Sequence, residues 1–458
     1  MNMEKQYDLI VIGTGSAGAG VALACSKEDW KVAIIDSRAY GGTCALRGCD
    51  PKKVLVGAAE IIDWNERMRG KGIQEQPTIN WADLMAFKET FVEDIPPAHE
   101  QKLQDAGVET FHGFASFISE DTIQVGEDQL TGQHILIATG AKPAPLSIEG
   151  EQYLGNSDDF LNLEQLPSTI VFVGGGYISM EFAHIAVRAG AELHIIHHGE
   201  QPLSHFDPDL VDELMKRSRE VGIQFHLNTE IQAIKQTAEQ QYTVHAVQKS
   251  DAQEESLEIQ CGLVVHGAGR VPNIDNLGLD QANIASEKKG ITVNEYLQST
   301  TNPRVYAAGD VAATKGLPLT PIAGMESQAV RAYLLQHNVQ TPNYKVMPSI
   351  VFTIPKLASV GITVEEAQKL GDHIKINDMD TSSWYTYKRT HEKHARIKVI
   401  IDTQARHVLG AHILSGEADD LINHFTTAIQ FDLDIDEWKK TIYGYPTAMS
   451  DLSYFIEE

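Results

Sequence analysis

Two cysteines, Cys44 and Cys49, stand five residues apart in the segment 41–53, which reads GGTCALRGCDPKK. At the start of a helix, one turn can bring such a pair within the ~4.4–6.8 Å between Cα atoms that a disulfide requires. The N–H groups at a helix N-terminus lower the pKa of a thiol, so one cysteine of the pair can be a thiolate near neutral pH. The residues alone leave open a redox-active pair, a structural disulfide or half of a zinc site.

The other cysteines do not extend this cluster. The chain has four cysteines in all, which is too few for a secreted scaffold held by disulfides. Cys25 and Cys261 are expected to be small buried hydrophobic residues. No second Cys/His pair stands at ligand spacing, so no metal-binding residue is predicted.

A glycine-rich turn precedes the cysteine segment. The run 7–12, YDLIVI, predicts a strand, and a helix to about Ser26 and a second strand over 31–36 follow the turn. Strand, glycine turn, helix, strand and terminal acid is the order of a dinucleotide-binding fold, in which Asp36 would hold ribose hydroxyls. The turn lets backbone N–H groups approach a pyrophosphate beside the positive end of the helix. The predicted phosphate-binding residues are Gly13, Gly15, Ser16, Ala17 and Gly18.

The same pattern recurs near the middle of the chain. A strand over 168–173, a turn over 174–179, a helix to about Ala189 and a strand over 192–197 follow one another. Ser179 replaces the third glycine, which predicts slightly less close packing of helix and strand. The predicted binding residues are Gly174, Gly176, Tyr177 and Ile178, with His197 and His198 at the end of the second strand.

The rest of the chain gives a coarser picture. Residues 51–104 are predicted to be helical, and residues 110–136 to form short strands and turns. From about Tyr344 onward, strands and two helical stretches indicate a separate α+β domain.

Segment 41–53 resembles the GGTC-x4-C motif of the pyridine nucleotide-disulfide oxidoreductase family, which includes glutathione reductase, dihydrolipoamide dehydrogenase and mercuric reductase. Further family-like segments follow in the family order: ATG at 138–140, GRVPN at 269–273, AGD at 308–310, LTP at 319–321, VFT at 351–353 and ASVG at 358–361. The resemblance covers nearly the whole chain.

This resemblance implies roles for individual residues. Cys49 would be the thiolate against the flavin, and Cys44 the exposed thiol that attacks the substrate. Lys52 would lie near the flavin with Glu181 as its ion-pair partner, and Tyr177 would cover the nicotinamide pocket. The other implied cofactor-binding residues are Gly42, Thr43, Lys53, Thr139, Gly140, Gly269, Arg270, Gly309, Asp310, Leu319 and Thr320.

The resemblance also implies an α/β fold with two Rossmann-like dinucleotide-binding domains, for FAD and NAD(P), and a C-terminal α+β dimerisation domain. The expected boundaries are 1–150 and 273–342 for the two segments of the FAD domain, 151–272 for the NAD(P) domain and 343–458 for the interface domain. A homodimer is expected, with Tyr445 completing the active site of the partner.

One segment departs from the family pattern. Family enzymes usually end in His-Pro-Thr-x-x-Glu, but here Tyr445 stands in the histidine position and Ser450 in the glutamate position. Tyrosine has an ordinary pKa of ~10, against ~6.5 for histidine, and is therefore a poor general base. Mercuric reductase is similar in carrying a tyrosine near its C-terminus.

Three functions follow from these residues. The first is a glutathione reductase-like enzyme that passes electrons from NAD(P)H through FAD to the Cys44–Cys49 disulfide, and then to a small-molecule or protein disulfide. The alternative is a metal-ion or electrophile reductase that uses the same dithiol with Tyr445. The third is a flavin-binding protein with a structural disulfide and no turnover.

The net charge and the residues at the end of the second strand limit which partners and cofactors are expected. The net charge of −26 and pI near 5.0 oppose binding to nucleic acid or to an anionic membrane, and they suit a cytoplasmic protein. NADPH is favoured over NADH, because no carboxylate ends the strand over 192–197. His198 and Ser204 are the nearest candidates for a phosphate contact there, although Glu200 follows shortly.

Overall fold

The apolar run after Asp8 forms the centre of a buried parallel sheet. Leu9 and Val11 pack into the core on one face of the sheet, whereas Ile10 and Ile12 pack into the core on the other. A strand covered on both faces has no solvent side, which explains why the run is continuously apolar rather than alternating.

A computed structural model describes residues 5–238, 241–249 and 254–457, and its packing divides the chain into two units. The first unit comprises the described residues of Met1–Pro51, Phe87–Ala144 and Arg270–Tyr344. The second comprises the described residues of Lys52–Ala86, Pro145–Gly269 and Lys345–Glu458.

A seven-stranded sheet forms the frame of the first unit. Its path runs Glu109–His112, Val32–Asp36, Lys5–Ile12, Asp128–Ile137, Thr122–Val125 and Ala115–Phe117, and Val305–Ala307 pairs in parallel with Asp128–Ile137. Two small sheets pair Ala141–Pro143 with Arg270–Pro272 and Ser286–Glu287 with Gly290–Ile291. The helices are Gly18–Lys27, Gly42–Arg47, Ile95–Asp105 and Thr320–Leu334, with a 3-10 turn at Leu279–Ala282.

The second unit contains a second parallel sheet and two antiparallel ones. The parallel sheet runs Ile223–His226, Glu192–Ile196, Thr169–Val173 and Leu263–His266. The three-stranded sheet is Thr229–Ala238, Gln241–Lys249 and Glu254–Cys261, and the five-stranded sheet runs Ser349–Val351, Lys356–Gly361, His407–Ser415, Arg396–Asp402 and Ile374–Asp380. The α-helices are Ser157–Leu161, Tyr177–Arg188, Pro208–Glu220, Val364–Ala367, Tyr385–Lys388, Ala418–Gln430, Ile435–Lys439 and Leu452–Phe455, with 3-10 turns at Glu151–Tyr153 and Ala448–Asp451.

The predicted helical region 51–104 is interrupted. It consists of the helices Cys49–Arg67, Trp81–Glu89 and Ile95–Asp105, and residues 68–80 are not helical. Gly70 and Gly72 have φ of +72° and +109°, which lie outside the right-handed helical region, so the chain leaves the helix there.

Ser179 does not loosen the packing around the second glycine turn. Its side chain is fully buried, and a Cβ added to Gly267 would overlap its hydroxyl oxygen. The glycine needed for close approach therefore lies on the opposing segment, directly after the strand Leu263–His266, rather than on the helix.

Among the residues that the structure describes, no helix is both long and apolar enough to cross a membrane.

A buried carboxylate joins three arginines in the second unit. Asp63 lies 2.7 Å from Arg188, 2.8 Å from Arg217 and 2.7 Å from Arg67. Burial alone would raise the pKa of Asp63, but the three guanidinium groups hold it well below its usual range. The stabilisation is therefore fully present at neutral pH, and it is lost progressively as the pH falls from the ordinary carboxyl pKa to this lowered value.

Replacing this carboxylate should strongly destabilise the protein. We expect Asp63→Ala to cost about 3–5 kcal/mol, because it leaves buried Arg188 without a counter-charge. Glu66→Ala is the matched control, since Glu66 is exposed on the same helix, lies 3.6 Å from Arg217 and should contribute about 0–1 kcal/mol. Scanning calorimetry and urea unfolding measure both, and equal effects would contradict the account.

Candidate active site

The first glycine turn is fixed by its own backbone and by Asp36. Gly13 has a φ of +109°, and a Cβ there would overlap the carbonyl oxygen of Ala138. The Oδ2 atom of Asp36 accepts hydrogen bonds from the N–H of Thr14 at 2.9 Å and from its hydroxyl at 2.6 Å. Asp36 therefore positions the turn, and the sequence analysis missed Thr14 as its partner. The only signal was a hydroxyl residue between two glycines.

The sheet brings four predicted FAD-binding segments to one edge of the first unit. Asp36 ends its strand, the glycine turn follows Lys5–Ile12, Thr139 follows Asp128–Ile137, and Asp310 follows Val305–Ala307. These strands are neighbours in that order and are mutually parallel. A phosphate-binding turn with a carboxylate on each side fits a cofactor with a central pyrophosphate, a ribose at one end and a ribityl chain at the other.

Three hydrogen bonds hold the segment that begins at Arg270 against the residues that follow the strand Asp128–Ile137. The Thr139 hydroxyl donates to the carbonyl of Asn273 at 2.8 Å, and the Asn273 N–H donates to Gly140 at 2.9 Å. Arg270 donates to the carbonyl of Ala141. Burial raises the pKa of Asp310, and Arg270 opposes this rise.

A buried carboxylate that the sequence analysis missed supports Asp310. Glu326, in the helix Thr320–Leu334, accepts hydrogen bonds from the Gly309 N–H at 2.6 Å, the Thr314 hydroxyl at 2.8 Å and the Tyr344 hydroxyl at 2.7 Å. Burial raises the pKa of Glu326, and the three donors oppose that rise. Glu326 thus fixes the backbone that presents Asp310. No sequence motif marked it.

The two cysteines lie in successive helices rather than at the start of a single one. Cys44 is in the helix Gly42–Arg47, and Cys49 is the first residue of the helix Cys49–Arg67. The break falls at Gly48, where a Cβ would come 2.9 Å from the carbonyl oxygen of Thr43. Gly42 approaches closely too, because a Cβ there would overlap the Cα of Gly15.

The two thiols of the pair have different surroundings. Both residues are thiols in this structure, and the interaction with Cys49, followed by burial, strongly raises the pKa of Cys44. Cys49 stands at the positive end of a long helix, and its Sγ lies 3.9 Å from the Thr320 hydroxyl. In this structure Cys49 is exposed and Cys44 is half-buried, whereas the family resemblance implied that Cys44 would be the exposed thiol.

The second unit contains the Lys52–Glu181 pair. The Lys52 Nζ lies 2.6 Å from the Glu181 Oε1, and both side chains are buried. The same Oε1 accepts a hydrogen bond from the N–H of Phe352 at 2.8 Å. The ammonium groups of Lys52 and Lys53 lie 4.6 Å and 3.9 Å from the centre of the Phe352 ring, and Lys53 is also 3.5 Å from Asp419.

A cavity lies above the second glycine turn, at the start of the helix Tyr177–Arg188. It is lined by three segments: Gly174, Gly175, Gly176 and Tyr177; His197, His198, Leu203, Ser204, His205 and Phe206; and Gly267, Ala268 and Gly269. Ile178 packs instead, half-buried, against the core of the unit. His205 and Phe206 also line the cavity, and no sequence pattern indicated them, because they follow the predicted strand end by several positions.

His197 holds the turn through both ring nitrogens. Its Nδ1 accepts a hydrogen bond from the Gly175 N–H at 3.2 Å, and its Nε2 donates to the Gln201 carbonyl at 3.0 Å. Burial, and next the nearby His198, lower the pKa of His197, so this ring is neutral near pH 7. His198 is exposed and lines the cavity.

The C-terminal departure from the family pattern has a local explanation. The Ser450 hydroxyl donates to the Thr447 carbonyl at 2.6 Å, and the Thr447 hydroxyl accepts from the Ser450 N–H at 3.3 Å. Ser450 is therefore used to close its own turn. The Tyr445 side chain is 81% exposed.

In the described ranges 5–238, 241–249 and 254–457, no group of three or more His, Cys, Asp or Glu side chains could hold a metal ion.

Comparison with known proteins assigns the chain to a family. Residues 7–327 match the pyridine nucleotide-disulphide oxidoreductase family, and residues 347–453 match its dimerisation domain. The chain belongs to this family. It is an α/β flavoprotein disulfide oxidoreductase that depends on FAD and uses a pyridine nucleotide, so the predicted family, fold class and enzyme class are confirmed.

Individual relatives agree with this assignment. The chain is 31% identical to glutathione reductase of Nostoc sp. over 98% of its length and 99% of that protein. It is 30% identical to mercuric reductase of Staphylococcus aureus over 98% of its length and 82% of that protein. A Cu(II) complex of the HOCl-induced flavoprotein disulfide reductase RclA from Escherichia coli superposes with a TM-score of 0.87, at 26% identity and 99% coverage of both chains.

Removing Cys49 should change how Cys44 ionises. In Cys49→Ala the partner that raises the pKa of Cys44 most is gone, so alkylation of Cys44 by iodoacetamide should move to lower pH than in the reduced wild type. Peptide mass spectrometry across a pH series measures this profile, and Cys261→Ala, at a buried cysteine, is the control. An unchanged Cys44 profile would show that the two thiols do not share a proton.

Proposed function

We propose that this enzyme takes electrons from NADPH and reduces a small-molecule or protein disulfide through the Cys44–Cys49 pair. Bound FAD supplies the hydride chemistry between the nucleotide and the pair. The observation that carries the proposal is the placement of Cys44 beside Cys49, the first residue of a long helix, where the interaction with Cys49 raises the pKa of Cys44. One sulfur can then be a thiolate while the other keeps its proton near neutral pH.

The thiol pair itself handles the proton for which family members use a histidine. As the Cys44 sulfur attacks the acceptor disulfide, its proton passes to Cys49, and the first product leaves as a thiolate. Cys49 then gives this proton to the leaving thiolate and attacks the Cys44 sulfur. The Cys44–Cys49 disulfide forms, and the second product thiolate leaves and is protonated by solvent.

Other predicted residues have supporting geometry. Gly13, Asp36, Thr139 and Asp310 lie at one sheet edge, and we propose that they hold the pyrophosphate, ribose and ribityl groups of FAD. We assign the Lys52–Glu181 pair and Tyr177 to the nicotinamide side. The remaining proposed cofactor contacts are those of the resemblance, at Gly42, Thr43, Lys53, Leu319 and Thr320.

We also propose a homodimer in the cytoplasm, with the domain boundaries 1–150, 151–272, 273–342 and 343–458. The match to the dimerisation domain and the exposure of Ile442 and Tyr445, at 95% and 81%, support an interface there. In this arrangement the phenol of Tyr445 donates a hydrogen bond in the active site of the partner.

The proposal predicts that Cys44→Ser separates the two half-reactions. NADPH should still bleach the flavin of this variant, because the nucleotide side is intact, whereas reduction of glutathione disulfide should fall to background. Anaerobic absorbance and steady-state NADPH oxidation measure the two steps, with Cys261→Ala as the control. Undiminished disulfide reduction by Cys44→Ser would refute the role of the pair.

The lining of the cavity supports the proposal of NADPH rather than NADH. Its lining residues, all among those described, include His198, Ser204 and His205 and no carboxylate. A 2′-phosphate would be repelled by a carboxylate there, whereas a 2′-hydroxyl would be bound by one.

Introducing a carboxylate should therefore reverse the preference. We expect His198→Glu to lower kcat/KM for NADPH by about tenfold or more relative to NADH, equivalent to ~1.4 kcal/mol. His245→Glu, at a strand residue of the same unit outside the cavity lining, should leave the ratio unchanged. An unaltered ratio in His198→Glu would place the phosphate contact elsewhere.

A metal-ion or electrophile reductase is the second candidate. Tyr445 in the histidine position favours it, as does the similarity to mercuric reductase and to RclA, which has been captured with Cu(II). NADPH oxidation that depends on Cys44, proceeds with Hg(II) or Cu(II) and fails with disulfides would establish this candidate over the first. The converse result would exclude it.

A further inference from the structure

The Tyr177 hydroxyl is tied to the C-terminal part of the second unit. Its oxygen lies 2.8 Å from the Oγ of Ser349, the first residue of the strand Ser349–Val351. Ser349 is buried, and the Tyr177 ring packs edge-on against Phe206 at 5.7 Å. The hydrogen bond therefore fixes the ring in its position at the cavity.

The same short segment holds a second residue of this helix. The Phe352 N–H donates to Glu181 at 2.8 Å. Tyr177 and Glu181 are four residues apart, so they lie on one face of the helix. Residues 349–352 thus contact both the proposed nicotinamide cover and the acid of the Lys52–Glu181 pair. The contact to Glu181 is made by the backbone, whereas the contact to Tyr177 depends on one side chain.

The phenol needs a partner in this position. Burial raises the pKa of Tyr177, while the hydrogen bond to Ser349 opposes the rise. A buried hydroxyl that loses its partner forfeits the bond and keeps its desolvation cost. The closed position of the ring is therefore stabilised by Ser349, and any movement of Tyr177 away from the cavity must break this bond.

We propose that Ser349 is a positioning residue that latches Tyr177 closed and thereby sets the apparent affinity for the nucleotide. The inference rests on the proposed function of Tyr177 as the cover of the nicotinamide site. If only the open state binds the nicotinamide, the apparent Kd equals the intrinsic Kd divided by the open fraction. Weakening the latch raises that fraction, so the nucleotide binds more tightly.

The test measures equilibrium binding of NADP⁺ to the oxidised holoenzyme, followed by flavin fluorescence. Ser349→Ala and Tyr177→Phe each remove the same hydrogen bond and should each tighten the apparent Kd by about 2- to 12-fold. The double variant should bind no more tightly than the single ones, because both remove one interaction. Ser349→Thr keeps the hydroxyl and should retain the wild-type Kd.

Ser359→Ala is the matched control. Ser359 pairs with Ser349 across the two neighbouring strands, and its hydroxyl contacts His412 at 2.8 Å. Its removal should leave the Kd unchanged. Tyr177→Phe keeps the proposal testable even if Ser349→Ala folds poorly.

The outcomes separate the latch from the proposed function. An unchanged Kd in Tyr177→Ala would overturn the role of Tyr177 as a cover, and the latch with it. A tighter Kd in Tyr177→Ala, with unchanged or weaker binding in both Ser349→Ala and Tyr177→Phe, would overturn the latch alone. Tighter, non-additive binding in the two hydroxyl variants establishes it.

Discussion

The proposed chemistry depends on one physical constraint, which is that the sulfur atoms of Cys44 and Cys49 lie close enough to share a proton. The interaction with Cys49 raises the pKa of Cys44, and Cys49 itself stands at the positive end of the helix that it begins. The pair must therefore lie at a helix start, where the surrounding backbone packs closely. Gly42 and Gly48 permit this close packing, because a Cβ at either position would overlap neighbouring backbone atoms. In the proposed function, bound FAD supplies electrons to this pair, and the exposed Cys49 and half-buried Cys44 pass them to an acceptor.

Buried charged groups around the candidate site are compensated by opposite charges or by hydrogen-bond donors. Glu326 has three donors and holds the backbone before Asp310, while Lys52 and Glu181 neutralise each other. Asp63 likewise forms ion pairs with three arginines of the second unit. Such groups are costly to bury singly and specific in geometry when paired, so they define positions for the residues around them.

Local patterns in the sequence predicted much of this arrangement. The two glycine turns, the strands around them and the cysteine segment are each set by neighbouring residues, so their types and order were accessible. The helical estimate for residues 51–104 was wrong between Arg67 and Trp81, where Gly70 and Gly72 take positive φ values. The effect of Ser179 could not be foreseen, because the compensating Gly267 is distant along the chain.

Contacts between segments that are distant along the chain could not be predicted from the sequence. Glu326 and Ser349 lie outside the family-like segments, and Phe352 lies within the segment 351–353, whose motif does not indicate its contact. Each acts on a predicted residue from another part of the chain: Gly309, Tyr177 and Glu181, respectively. His197 was predicted to bind the nucleotide, and its ring nitrogens prove to hold the glycine turn. The role of such a supporting residue depends on tertiary packing, and the hydrophobic periodicity of the sequence does not reveal that packing.

The most direct test of the central claim is an anaerobic titration of the purified holoenzyme with NADPH, followed by absorbance. A flavin in communication with the Cys44–Cys49 pair takes up four electrons per flavin, and a long-wavelength thiolate–flavin band appears after the first two. Uptake of only two electrons, with no such band, would show that the pair does not exchange electrons with the flavin and would contradict the account.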